Sequence, residues 1–194
     1  MVIKLSLDKN CNYIVSGLER SGTSMMMQIL HAGNVPTAFD DLRKKDENNP
    51  KGYYELEGGK IINKLMEKTF PIKEYEGIFI KITAFGLTFL PEKQYKIVYM
   101  ERNLEEIMDS MEKMAKIKSE ESKEIKESFR KLNEKVKNDM QNRDDVDVIF
   151  INYNNILSNP EENLQRLCDF LKLSENVVKD MKNVIDSRLY RQRR

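Results

Sequence analysis

Short apolar runs alternate along this chain with longer stretches in which apolar residues recur at helical spacing. Residues 12–16 predict a buried strand, and residues 23–30 a helix directly after it. Further on, residues 58–68 predict a helix, 78–82 a strand, and 96–100 a second short apolar run of strand type. Residues 103–116 predict another helix, 120–141 a long one laced with Lys and Glu, and 146–153 a strand; two helices follow from Pro160. Strands separated by helix-length segments predict a parallel central sheet flanked by helices on both faces, an α/β fold in three layers. No repeat and no clear linker interrupts the pattern. The 194 residues therefore predict a single domain, with a basic C-terminal tail from about residue 187.

Composition narrows the function. An apolar content of 40% supports an ordinary core, and a net charge of +1 lacks the basic excess of a nucleic-acid binder. The N-terminal residues do not form the apolar run of a signal peptide, and no downstream segment has the length of a bilayer span. The expectation is a soluble, cytoplasmic protein. Cys11 and Cys168 stand far apart and His31 is the single histidine, so no zinc or iron–sulfur pattern exists and no metal is expected. The Lys- and Glu-dense block from 101 to 147 reads as a solvated helical face.

Between the first strand and the first helix runs Gly17-Leu18-Glu19-Arg20-Ser21-Gly22-Thr23-Ser24. A glycine loop emptying onto a helix N-terminus gathers free amides and the positive end of the helix dipole, which suits an oxyanion. Gly17 and Gly22 permit positive φ, and Arg20 offers a planar fork to two oxygens. The nucleotide-triphosphate version of this loop needs a lysine where Thr23 stands. The cradle remains while the charge specific to a triphosphate is gone, so the loop should hold a different anion.

A second segment ends the strand at Met100 with Arg102 just beyond. Asn103 then reads as an N-cap, with Glu106 placed to complete a capping box. Ser110 lies two turns past the cap on the face looking back toward Arg102, so the two can converge on a second anion. The plainer alternative pairs Arg102 with Glu101 or Glu106 and leaves Ser110 exposed.

Together these segments resemble the sulfotransferases that use 3′-phosphoadenosine 5′-phosphosulfate (PAPS). The likeness spans about residues 12–173, including 148–153, 159–162 and 170–171, which are similar to the family's late strand and helix. It implies a P-loop fold in which Arg20, Ser21, Gly22, Thr23 and Ser24 bind the 5′-phosphosulfate. Arg102 and Ser110 then bind the 3′-phosphate. The implied reaction moves a sulfuryl group from PAPS to a hydroxyl or amine of a small-molecule or glycan acceptor. The chain also departs from the family. Glu19 replaces a common proline, the usual basic C-terminal motif is missing, and arginines of the tail at 187–194 stand in its place.

Transfer requires a cation at the leaving group and a base for the acceptor proton. Arg20 is the expected cation, and Asp41 or Glu55 the expected base. His31, two turns from the anion, reads as a packing or cap residue. Lys81 in a buried strand needs a partner or a pocket at the strand's end, where it would supply a second cation. Tyr53 and Tyr54 line an acceptor pocket or pack on the core, and Met25, Met26 and Met27 pack the first helix on the sheet. Two further readings remain at this point: an altered P-loop phosphotransferase, and a non-catalytic nucleotide-binding or scaffold protein.

Overall fold

The computed structural model describes residues 5–47, 49–115 and 119–186. The tail expected from residue 187 lies outside the described residues. Four parallel strands form one sheet: β1 (Asn12–Gly17), β2 (Phe79–Lys81), β3 (Tyr95–Glu101) and β4 (Val146–Asn152), in the order β2-β1-β3-β4. In register, Val15 stands beside Lys81, Gly17 beside Met100, and Glu101 beside Asn152. From β1 the chain passes to β2 on one side and later to β3 on the other. Connections leaving β1 and β3 therefore diverge and open a crevice at the carboxyl ends of the strands.

Alternation along β1 explains the layers, because successive side chains face opposite sides of a sheet. Tyr13 and Val15 meet Met26, Met27, Ile29 and Leu30 of α1 (Thr23–Ala32), with Leu164 and Leu167 of α7 (Pro160–Leu171) and Met181 of α8 (Val178–Asn183). Ile14 faces the other way. It joins Ile97 and Tyr99, Ile61 and Leu65 of α2 (Ile61–Met66), Leu87 of α3 (Ala84–Leu87), Ile107 of α4 (Leu104–Ala115), and Val136 and Met140 of α5 (Ser119–Gln141). Each such side chain contributes about 1.5–3 kcal/mol on leaving water, so both faces of a short sheet become necessary to the fold. The three-layer α/β architecture expected from the sequence is the one observed.

Three local differences have physical causes. The helix expected from residue 58 begins as a 3₁₀ turn at Glu57–Gly59, because Gly58 and Gly59 adopt φ of 61° and 89°, which a right-handed helix does not admit. The strand expected to reach Tyr153 stops at Asn152, whose side-chain oxygen accepts from the amides of Asn154 and Asn155 and starts α6 (Tyr153–Ser158). The four-residue α3 is too short to show a helical period. Among the described residues, no helix is long and apolar enough to cross a membrane.

Candidate active site

The loop after β1 is shaped by close approach. Gly17 has φ 146° and Gly22 φ 102°; a Cβ at Gly17 would lie 2.5 Å from the Met100 carbonyl oxygen, and one at Gly22 2.4 Å from the Tyr153 ring. Glycine alone lets the loop lie this close to β3 and α6. Arg20 takes the left-handed conformation too, at φ 67°, without glycine's freedom and at a cost of about 1–2 kcal/mol. Its carbonyl accepts from Arg102 Nη1 at 3.0 Å, which holds the turn in place.

Gly22, Thr23 and Ser24 carry this loop into α1 and line a cleft of about 420 Å³ at the carboxyl end of the sheet. The first amides of a helix lack intrahelical partners, so the start of α1 presents unpaired N–H groups and the positive end of its dipole. The Ser21 hydroxyl is buried within the loop without a hydrogen-bond partner, and so is that of Ser16 at the end of β1. Neither serine is among the residues lining the cleft, so the anion-binding groups that the loop offers there are Arg20 and the helix start at Gly22, Thr23 and Ser24.

Arg20 crosses from this loop to α4, where its Nε donates to Ser110 Oγ at 2.9 Å. Burial pulls the Arg20 guanidinium below its ordinary value, and the Arg102 and Arg43 charges act in the same direction. A bound anion relieves that stress. Arg102, just past β3, and Ser110 line the same cleft as the loop. The Arg102 guanidinium lies 4.5 Å from the centre of the Tyr153 ring, and its Nε donates to Glu106 at 2.9 Å. The pairing with Glu106 weighed in the sequence is therefore present, yet it coexists with placement in the cleft. Asn103 caps the amide of Glu105, while the Glu106 carboxylate is engaged by Arg102 and Asn154.

On the other side of the loop, Lys81 ends β2 and is 6% exposed. Its ammonium donates to Tyr53 O at 2.6 Å, Glu55 Oε1 at 2.8 Å and Ser24 Oγ at 3.1 Å, which uses all three of its N–H groups. Burial pulls the Lys81 ammonium below the usual lysine value, opposed by the adjacent Glu55 carboxylate. Glu55 is also held by Arg43, whose Nη1 approaches both carboxylate oxygens at 3.1 and 3.3 Å while the guanidinium lies 3.6 Å over the Tyr53 ring.

Residues 11–189 match the sulfotransferase domain. The chain belongs to the sulfotransferase domain family. Solved structures of similar fold include the sulfotransferase domain of the Synechococcus PCC 7002 olefin synthase, with a TM-score of 0.55 at 14% identity, covering 96% of this chain and 84% of that one. A second is retinol dehydratase in complex with androsterone and the inactive cofactor PAP, with a TM-score of 0.52 at 17% identity. That match covers 95% of this chain, which spans 66% of the retinol dehydratase chain. A third is the sulfotransferase STF9 from Mycobacterium avium, with a TM-score of 0.54 at 11% identity, covering 100% of this chain and 71% of that one. No curated protein matches the chain in sequence.

Within the cleft the two carboxylates considered as bases part company. Glu55 lines it, whereas Asp41 is exposed and lies outside the lining. The cause is its neighbour: the Asp40 carboxylate accepts from the amides of Leu42 and Glu57, folding the chain back so that residue 41 faces solvent. His31 also stays out of the cleft, bonding Thr37 and packing edge-on against Phe39 and Tyr54. The two tyrosines divide: Tyr53 lines the cleft and Tyr54 packs against Phe39. Met26 and Met27 are core residues, while Met25 also lines the cleft. Glu19 is exposed at the lining of the cleft.

Sequence reading missed Arg43 and Tyr153. Arg43 sits in a charged surface stretch with no periodicity to mark it, and the pairing partner that defines it lies twelve residues on. Tyr153 looked like the end of a strand. Among the described residues no group of His, Cys, Asp and Glu is arranged to hold a metal ion.

Proposed function

We propose that this protein transfers a sulfuryl group from PAPS to a hydroxyl or amine of a small acceptor. One observation carries the reading: Arg20 of the glycine loop and Ser110 of α4 meet at 2.9 Å in a cleft that Arg102 also lines. Two anion-binding elements from separate strand exits thus face one volume, as a nucleotide charged at both ends requires. Family membership and the PAP complexes among structures of similar fold support PAPS as the sulfuryl source.

Loop amides at residues 22–24 and Arg20 would hold the 5′ end, and Arg102 with Ser110 the 3′-phosphate. When bound, PAPS supplies a sulfuryl group activated by its anhydride bond to phosphate. Arg20 places a guanidinium where negative charge grows on the departing phosphate oxygen. Glu55 takes the proton of the acceptor at a carboxylate oxygen. Lys81 fixes Glu55 against Ser24 and Tyr53, so the base and the loop move as one unit. The cleft lining mixes cations and carboxylates with Met25, Ile61, Ile62, Ile82 and Val184, which suits an acceptor that has both a polar and an apolar part.

A second reading, nucleotide binding without transfer, draws on the two cations already engaging Glu55. Calorimetry with 3′-phosphoadenosine 5′-phosphate (PAP) and with ATP plus magnesium tests the nucleotide assignment. Tight PAP binding and weak ATP binding are expected, and the reverse rejects it. Sulfate transfer to a panel of hydroxyl and amine compounds then separates enzyme from binding protein.

A further inference from the structure

We propose that Glu106 is a positioning residue that aims Arg102 at the 3′-phosphate, an inference that rests on the assignment of Arg102 to that site. Glu106 is fully buried on the first turns of α4, four residues beyond Arg102. Its Oε2 accepts from Arg102 Nε at 2.9 Å and its Oε1 from the side-chain amide of Asn154, on α6, at 3.1 Å. The carboxylate is thereby clamped between two elements, and it clamps the guanidinium in turn.

The Arg102 side chain is itself 7% exposed. Its Nη1 is directed to the Arg20 carbonyl, and its guanidinium carbon lies 4.5 Å from the centre of the Tyr153 ring, which packs on Gly22. An arginine fork recognises a phosphate by direction as well as by charge, so its orientation must be set before the ligand arrives. The Glu106 carboxylate, the Arg20 carbonyl and the Tyr153 ring are among the contacts that set it here.

Stability alone gives a poor account of the pair. Taking two charges out of water offsets most of their attraction, and apolar replacements of buried pairs are often neutral or stabilising. Positioning explains why a charged pair is kept at this place. Because Arg102 Nη1 also holds the Arg20 turn, Glu106 reaches the 5′ loop through the same guanidinium, which ties the two anion sites to one buried carboxylate.

Titration calorimetry of the full chain with PAP and with adenosine 5′-phosphate reads the preference for the 3′-phosphate as a ratio of affinities. Arg102→Ala should reduce that ratio by roughly 30-fold or more, as loss of one partner of a buried charged contact does. Glu106→Gln keeps size but leaves one acceptor oxygen for two donors, and should reduce the ratio by about tenfold. Glu106→Asp keeps both oxygens and should restore most of it. In the Arg102→Ala background, Glu106→Gln should add little, since it acts through the arginine. A Glu106→Gln protein with an unchanged ratio, while Arg102→Ala loses it, overturns the positioning role and leaves the site assignment standing. An unchanged ratio in Arg102→Ala overturns the assignment itself and the inference with it. If Glu106→Gln folds poorly, Asn154→Ala gives the same reading by freeing the other side of the carboxylate, and an unaltered ratio there counts against the proposal.

Discussion

Arg20 Nε and Ser110 Oγ are joined by a 2.9 Å hydrogen bond across 90 residues of sequence. The contact ties the loop after β1 to the helix after β3, and it places the arginine of the loop at the junction of the two proposed anion sites. Its loss should register in rate as well as in affinity.

Arg20→Ala is therefore expected to depress kcat together with PAPS affinity. Removal of a single charge-stabilising group in an acyl-transfer site costs about 10²–10³ in rate, and a loss of that order is expected here. Steady-state kinetics with a responsive acceptor provide the check. A normal kcat with a raised KM alone would confine Arg20 to binding.

Glu55→Gln should lower kcat by about 10²–10⁴ with PAP affinity nearly unchanged, the pattern of a lost proton acceptor. Isothermal titration beside turnover measurements separates the two quantities. Retained turnover would remove Glu55 from proton transfer and leave it as an anchor for Lys81 and Arg43.

Gly22→Ala places a methyl group into the Tyr153 ring and forces a left-handed conformation on alanine. Overpacking of this kind costs about 1–3 kcal/mol. Urea unfolding should show that loss, and the double variant Gly22→Ala with Tyr153→Ala should cost less than the sum of the two single changes. Simple additivity would mean that the ring and the loop do not bear on one another.

Alkaline pH should destabilise the fold through its buried tyrosines. Burial raises the Tyr95, Tyr99 and Tyr153 phenols above their ordinary value of 10.0. The unfolded chain then releases these protons before the folded protein does, so the folded state binds more protons above pH 10. Stability is full below the unfolded value and falls as pH rises from there toward the folded values. Denaturant midpoints measured at pH 8, 10 and 11 should drop across the last step, with tyrosinate absorbance appearing on unfolding. A flat midpoint through that interval would contradict the burial of these hydroxyls.

Much of the site was legible because it is local. The loop from Gly17 to Ser24 is a continuous stretch whose glycines and helix start can be read by spacing, and the places of Arg102 at a strand end and Ser110 two helical turns beyond its cap can be read the same way. What was not legible depends on long-range pairing. Asp41 and Glu55 are equivalent in sequence, both carboxylates in a polar stretch. They separate only when Asp40 caps two amides and Lys81 draws Glu55 inward.

Periodicity, glycine placement and short-range spacing therefore determined the α/β class, the glycine loop at a helix start and the place of Arg102 at a strand end, since all of these are written within a few residues of chain. The meeting of Arg20 with Ser110, the burial of Lys81 beside Glu55, and the reach of Asn154 to Glu106 were decided by the order of strands in the sheet. Parallel pairing of β1 with both β2 and β3 brings three distant strand ends to one edge, and no local pattern specifies which ends will be neighbours.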